Sequence, residues 1–130
     1  MVILESSFLI DVLRSHRSAV ELLEELERKG ESMLIAAPSV MALWEGALKS
    51  KVTGKEKVKV DELLASMPVL PLDSLSAKRA AEIEVELDSK GASIQTEDVM
   101  IAGITATNGE TLVTNDAHYA RIPGLRILKY

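Results

Sequence analysis

The chain has no cysteine, few aromatic residues and no long apolar run. Without cysteine, neither a disulfide framework nor a cysteine-based zinc site can form, and we expect an intracellular, cytoplasmic protein. No apolar run approaches the roughly 18 residues of a membrane-spanning helix, and the first residues lack the basic region of a signal peptide, so no membrane association is expected. At 3% aromatic residues, a stacking platform for single-stranded nucleic acid is not expected either.

What the chain does contain is the composition of a folded domain. Its 130 residues are 47% hydrophobic and 27% charged, and this length suits a single domain, predicted over residues 1–130. The net charge of −5 disfavours a passive nucleic-acid binder, because phosphate contacts require a positive surface. An enzyme that meets phosphate through a bound metal is not excluded by this charge.

Short apolar runs alternate with longer segments of helical periodicity. Four of these runs lie at residues 2–4, 33–36, 111–113 and 126–128. Apart from Thr111 and Arg126, which begin two of the runs, they are apolar throughout, and this is typical of strands buried on both faces. Val69–Leu72 predicts an edge strand, because its proline lacks the N–H donor that a central strand needs. Helices are predicted between the strands, with caps at Ser18 and Thr96. The alternation predicts an α/β fold with a central parallel sheet.

Four acidic residues are candidates for a cluster at one edge of this sheet. Glu5 directly follows the first strand, and Asp116 follows the strand that ends at Val113. Both should project from the carboxyl ends of strands, where open α/β sheets bind their ligands. Asp98 lies in the first turn of a predicted helix, and Glu45 lies on the flank of an apolar helical stripe.

Converging carboxylates repel one another unless a cation or a proton compensates them. A divalent metal held by such a cluster would polarise a phosphoryl oxygen and lower the pKa of water, which is the chemistry of phosphodiester hydrolysis. Three of the acids also have simpler interpretations: Asp98 as a partner of the helix dipole, Asp116 as a turn or cap residue, and Glu45 as a solvated side chain. Glu5 is different, because a charge beside a buried strand needs a partner. Composition and spacing alone favour the simpler interpretation for the other three.

Several segments resemble one known family, the PIN-domain nucleases, and particularly the VapC-like toxins of type II toxin–antitoxin systems. The segment Ile3–Asp11 is similar to the opening of these proteins, and Ala42–Gly46 to the helix that carries their glutamate. Thr96–Ala102 resembles their third acidic motif, and Leu112–Asp116 followed by Arg121–Leu125 resembles their C-terminal signature. The motifs occur in the family's order and span almost the whole chain.

The resemblance implies a PIN-like three-layer α/β/α fold and a set of site residues. The acids that would bind one or two Mg²⁺ or Mn²⁺ ions are Glu5, Glu45, Asp98 and Asp116. Ser6 and Thr114 would be hydroxyl helpers that orient carboxylates or water, and Asn115 lies in the same loop. Asp11 matches a position that is acidic in many members and is treated there as secondary.

The implied function is a metal-dependent endoribonuclease, the toxin of a VapBC-type pair, which hydrolyses RNA with a metal-activated water. A cognate antitoxin that blocks the acidic groove and a homodimeric state are implied as well. Glu5 departs from the family, which has aspartate at this position in most members, and the extra methylene moves the carboxylate by roughly 1.5 Å. Two alternatives therefore stay open: a housekeeping RNA-processing PIN nuclease, and a degenerate PIN module retained for RNA or protein binding.

Two further features allow two interpretations each. Residues 49–59 contain five lysines and only one acid. This stretch either binds RNA phosphates or forms a solvated turn. His118 lies two residues beyond Asp116 and either pairs with it or is a surface histidine, and the second interpretation is favoured.

Overall fold

The computed structural model describes residues 1–130 as a five-stranded sheet between two layers of helices. The elements are β1 (Val2–Leu4), α1 (Ser6–Leu13), α2 (Arg17–Arg28), β2 (Met33–Ala36), α3 (Ala37–Lys49), α4 (Thr53–Leu64), β3 (Val69–Leu70), α5 (Ser74–Ser89), α6 (Thr96–Thr107), β4 (Thr111–Val113) and β5 (Ile127–Leu128). A short 3₁₀ helix, Ala117–Arg121, lies between β4 and β5. None of the helices has both the length and the apolar character needed to cross a membrane. The predicted α/β class and three-layer architecture are confirmed.

All neighbouring strands are parallel, in the order β3-β2-β1-β4-β5. In the centre of the sheet, Ile3 of β1 pairs with Leu34 of β2 on one side and Leu112 of β4 on the other. The carboxyl ends of β1, β2 and β4 therefore lie at one edge of the sheet. β3 is an outer strand with Pro71 directly after it, which confirms the predicted edge position.

Each face of the sheet packs against its own helices, which explains why the strands do not alternate between apolar and polar residues. The side chains that face α5 and α6 include Ile3, Leu34, Ala36 and Leu112. Those that face α1, α2, α3 and α4 include Val2, Leu4, Ile35 and Val113. Both faces of the central strands are therefore core.

The two predicted helix caps are wrong. Helix α2 begins at Arg17 after His16, and α6 begins at Thr96 itself after Gln95, and in neither case does the capping side chain bond the helix N-terminus. Most helical stability in proteins comes from packing of an apolar face, so a helix can begin without a side-chain cap. The helices that do have such caps are α1, capped by Glu5, and α5, capped by Asp73.

Helices α5 and α6 pack closely against each other at Gly103. A Cβ atom at this position would lie 2.7 Å from the Ser76 carbonyl oxygen and 2.8 Å from the Ala80 Cβ. Real Cβ atoms do not approach backbone atoms this closely, so only glycine allows the two helix backbones to approach to this distance. This contact sets the position of α6, the helix that carries Asp98.

We therefore expect Gly103→Ala to destabilise the protein by about 1–3 kcal/mol, because the added methyl group overpacks the contact between α5 and α6. Urea unfolding measures the change. The matched control is Gly46→Ala in α3, where the new Cβ meets no atom within 4 Å. That variant should be neutral or up to about 1 kcal/mol more stable, since alanine has the higher helix propensity. Equal effects of the two substitutions would contradict the close contact at Gly103.

Candidate metal centre

Glu5 is a buried carboxylate that follows β1 directly and caps α1. The Glu5 residue as a whole is only 3% exposed to solvent. Oε1 accepts a hydrogen bond from the Ser6 hydroxyl at 2.9 Å, while Oε2 accepts from the Ser7 N–H at 3.0 Å and also from the Ser7 hydroxyl. Thr114, at the end of β4, donates to Oε2 at 3.0 Å across the sheet edge. Glu5 thus has the partners that a charge beside a buried strand requires, and they are hydroxyl and amide donors.

Thr114 links the carboxylate of Glu5 to the backbone of Asp116. The threonine is completely buried, and its hydroxyl accepts a hydrogen bond from the Asp116 N–H at 3.0 Å while it donates to Glu5. Two of the predicted acids are therefore connected through one predicted hydroxyl helper. Asp116 also caps the 3₁₀ helix, accepting from the His118 N–H at 2.9 Å, so its simpler interpretation as a cap residue holds as well.

Asp98, Asp116 and His118 form the group of potential ligands that converge most closely. One ligand atom from each of the three residues lies within 4.8 Å of the others. His118 Nδ1 is 3.2 Å from Asp116 Oδ1 and 4.0 Å from Asp98 Oδ2. His118 is half-exposed, as expected for a surface histidine, but it also faces both carboxylates. Its spacing of two residues from Asp116 was the sequence signal for this contact.

Tyr119 is a site residue that the sequence reasoning missed. It is fully buried, and its hydroxyl donates to Asp98 Oδ1 at 3.1 Å. Burial raises the pKa of Tyr119, and the charges of Glu5 and Asp98 raise it further, so the phenol stays protonated. Tyr119 and Asp98 are 21 residues apart, and no local pattern in the sequence signals this contact.

Burial also raises the pKa of Asp98 above its ordinary value. The hydrogen bond from Tyr119 opposes this shift, whereas the charge of Asp116 adds to it. A carboxyl group with a raised pKa is one whose charged form lacks compensation, and a bound cation would supply that compensation.

Glu45 is not a member of the closely converging group. Its carboxylate is half-exposed and accepts a hydrogen bond from Lys49 Nζ at 2.7 Å, one helical turn further along α3, and this bond lowers the pKa of Glu45. Glu45 nevertheless lies near the cluster, because its charge acts on Glu97, the residue that precedes Asp98 and that the sequence did not single out. Burial raises the pKa of Glu97, and the charges of Asp98, Glu5 and Glu45 raise it further.

The remaining candidate residues, Asp11 and Asn115, hold the C-terminal segment in place. The Asn115 side-chain amide makes two hydrogen bonds to the backbone of Tyr130, at 2.7 and 2.8 Å. The Tyr130 hydroxyl donates to Asp11 at 2.5 Å, and its ring packs edge-on against Phe8. Asp11 therefore has a partner of its own, outside the group formed by Asp98, Asp116 and His118.

The donor set at this edge fits a divalent metal ion. Carboxylate oxygens suit Mg²⁺ and Mn²⁺, and an imidazole nitrogen is a common ligand of transition metals. Oδ2 of Asp98 makes no hydrogen bond and lies on the side of His118, so it is available as a ligand. Asp98, Asp116 and His118 would hold the ion, with Glu5 and Glu45 at its border.

Comparison with known proteins shows the family to which the chain belongs. The model of the PIN domain family matches residues 2–125. The tRNA(fMet)-specific endonuclease VapC of Salmonella typhimurium is 34% identical over 96 residues, which are 73% of this chain and 73% of that protein.

Two solved structures agree with this match over almost the whole chain. The crystal structure of VapBC2 from Rickettsia felis bound to a DNA fragment from their promoter has a TM-score of 0.91 at 26% identity, covering 100% of this chain and 99% of the other. DNA-bound VapBC from Salmonella typhimurium has a TM-score of 0.90 at 28% identity, covering 98% and 96%. The chain belongs to the PIN domain family of nucleases, in its VapC-like branch.

Proposed function

We propose that this protein is a Mg²⁺- or Mn²⁺-dependent endoribonuclease, the toxin of a VapBC-type toxin–antitoxin pair. The observation that carries the proposal is the convergence of Asp98, Asp116 and His118 within 4.8 Å, at the sheet edge where Glu5 is buried. A divalent ion bound there would polarise a phosphoryl oxygen and activate water for phosphodiester hydrolysis. The similarity to a tRNA-specific endonuclease supports RNA as the substrate class.

We assign the residue roles as follows. Asp98 and Asp116 are direct ligands, and Glu5 and Glu45 complete the acidic site. Ser6 and Thr114 orient Glu5, since both hydroxyls donate to its carboxylate. The imidazole of His118 makes Mn²⁺ the better candidate, because imidazole suits transition metals more than it suits Mg²⁺.

The partners that we propose are RNA, an antitoxin and a second copy of this chain. A groove of about 590 Å³ between α1 and the α3–α4 pair has buried apolar residues at its floor, Leu43 and Val60 among them, and basic residues at its rim, Arg14 and Lys49 among them. An amphipathic antitoxin segment fits such a groove. The solved VapBC complexes support an antitoxin partner, and a homodimer would extend the acidic site.

The experiments below distinguish the degenerate module from a nuclease, and the gene neighbourhood distinguishes a housekeeping nuclease from a toxin. A housekeeping PIN nuclease would share the metal-dependent cleavage but would have no antitoxin-sized reading frame beside its gene. A degenerate PIN module would bind no divalent ion at this edge and would not cleave RNA.

Asp98→Asn should abolish divalent-dependent RNA cleavage, because the amide cannot replace the carboxylate as a charged ligand. The loss should exceed the roughly 10–100-fold that removal of an outer-shell partner costs. The assay incubates purified protein with mixed-sequence RNA and Mn²⁺, with EDTA as the metal-free arm. Asp61→Asn, an exposed residue of α4, is the matched control and should cleave like the wild type.

Unchanged cleavage by a folded Asp98→Asn protein would contradict the proposed site. If the wild-type protein does not cleave RNA but Glu5→Asp does, the longer glutamate side chain has impaired the site. If neither protein cleaves the mixed-sequence RNA although the same preparation binds Mn²⁺, the enzyme is specific for an RNA sequence or structure that the mixture lacks.

Divalent metal should stabilise the folded protein in proportion to site occupancy. At a Mn²⁺ concentration 100 times its dissociation constant, the free energy of unfolding should rise by about 2.7 kcal/mol, since the ion binds the folded state alone. Thermal unfolding with and without Mn²⁺ measures this increase. Asp116→Asn should abolish most of it, and an increase that survives this substitution would place the ion elsewhere.

The lysines at the α3–α4 turn should contact RNA phosphates. Lys49 and Lys59 are paired with Glu45 and Glu56, whereas Lys51 and Lys55 are exposed and have no ion-pair partner. Replacing Lys51 and Lys55 by glutamine should weaken RNA binding and reduce the slope of log K against log salt by about 0.7 for each lost phosphate contact. Binding is measured with Asp98→Asn protein, so that no RNA is cleaved.

The control for this pair is Lys29→Gln, at the end of α2 near the amino ends of the strands. It should leave both the affinity and the salt slope unchanged. If the double lysine substitution leaves the salt slope unchanged, these lysines do not contact RNA phosphates and instead face solvent or a protein partner.

A further inference from the structure

The phenol of Tyr119 reaches the metal-binding edge from the inside of the protein. Its ring belongs to the core that packs between the sheet and α5–α6, and the whole residue is 0% exposed. Its hydroxyl contacts Asp98 Oδ1 at 3.1 Å, and no other side-chain hydrogen bond holds the Asp98 carboxylate. The orientation of Asp98 therefore depends on one buried donor that comes from a different element of the fold.

This contact makes the two oxygens of Asp98 unequal. Oδ1 is occupied by Tyr119, whereas Oδ2 lies 4.0 Å from His118 Nδ1, on the side where Asp116 and His118 converge. A tyrosine phenol is protonated at neutral pH, so Tyr119 is the donor in this contact. Tyr119 therefore turns Asp98 so that Oδ2, which accepts no hydrogen bond, is the oxygen that faces an ion between these residues.

We propose that Tyr119 is a positioning residue that holds Asp98 as a one-oxygen ligand and thereby favours Mn²⁺ and Mg²⁺ over Ca²⁺. Ca²⁺ takes six to eight oxygen ligands, often from carboxylates that give both oxygens, in a flexible geometry. Mg²⁺ demands near-octahedral geometry and takes carboxylates through one oxygen. A fixed carboxylate with one available oxygen suits the smaller ions. This inference rests on the proposed metal centre and concerns its selectivity.

The test compares Mn²⁺ and Ca²⁺ binding in the wild type, Tyr119→Phe and Tyr130→Phe. Free Mn²⁺ is measured by electron paramagnetic resonance, and Ca²⁺ by its competition against Mn²⁺. Tyr119→Phe keeps the buried ring and removes only the hydroxyl. Tyr130→Phe removes a hydroxyl that donates to Asp11, a carboxylate outside the converging group, and is therefore the matched control.

We expect Tyr119→Phe to raise the dissociation constant of Mn²⁺ about tenfold, as loss of an outer-shell partner does. Its effect on Ca²⁺ should be smaller, because the freed Oδ1 lets Asp98 bind through both oxygens, so the ratio of the Ca²⁺ to the Mn²⁺ constant falls. Tyr130→Phe should leave that ratio unchanged. Thermal unfolding without metal, performed on each variant, reports whether the fold is kept.

Unchanged Mn²⁺ affinity in a folded Tyr119→Phe protein would overturn the positioning role. A parallel loss of both affinities would overturn it as well, because general loosening of the site weakens both ions alike. Neither result would affect the proposed nuclease function, which the wild-type cleavage assay tests separately. A wild-type protein that binds no Mn²⁺ would overturn the metal centre together with this inference.

Discussion

The burial of Glu5 at the carboxyl end of β1 is the constraint around which this edge of the sheet is organised. An ionised carboxylate that is 3% exposed is costly unless charge-assisted hydrogen bonds replace its water. Those bonds come from the first turn of α1, through Ser6 and Ser7, and from Thr114 at the end of β4. One side chain thereby fixes the entry of α1 and the loop that carries Asp116. The positive end of the α1 dipole favours the same charge.

The hydrogen bonds at this edge leave a defined set of free oxygens. Oε2 of Glu5 receives three donors, whereas Oδ1 of Asp116 and Oδ1 of Asp98 receive one each, the His118 N–H and the Tyr119 phenol. A carboxylate oxygen accepts about two hydrogen bonds through its lone pairs, so Oε2 of Glu5 has no capacity left for an ion, whereas the two aspartates keep most of theirs. Oε1 of Glu5 accepts from Ser6, but Oδ2 of Asp98 and Oδ2 of Asp116 accept no hydrogen bond. One free oxygen from each of two carboxylates suits a small, octahedral divalent ion that keeps several of its waters.

The sequence predicts most of the fold and the edge where the site lies, because both depend on local patterns. Runs such as Val2–Leu4 show buried strands, and parallel pairing alone brings Glu5 and Thr114 together. The position of Asp98 is different, since α6 follows another helix and is placed by the close contact at Gly103. The contact of Tyr119 with Asp98 depends on that placement, so it could not be read from spacing. The caps predicted at Ser18 and Thr96 failed for a related reason, because packing determines where α2 and α6 begin.

Glu45 lies between the acidic cluster and the lysines at the α3–α4 turn. Its carboxylate is bonded to Lys49 at 2.7 Å, but both side chains are at least half-exposed, and an exposed pair one helical turn apart contributes little to stability. Breaking this pair therefore costs little. With the pair broken, the Glu45 side chain would be free to turn toward Asp98 and Glu5, whose charges raise the pKa of Glu97, and the Lys49 ammonium would be free to bind an anion. A single weak ion pair thus joins Glu45, beside the acidic cluster, to the lysines at the α3–α4 turn.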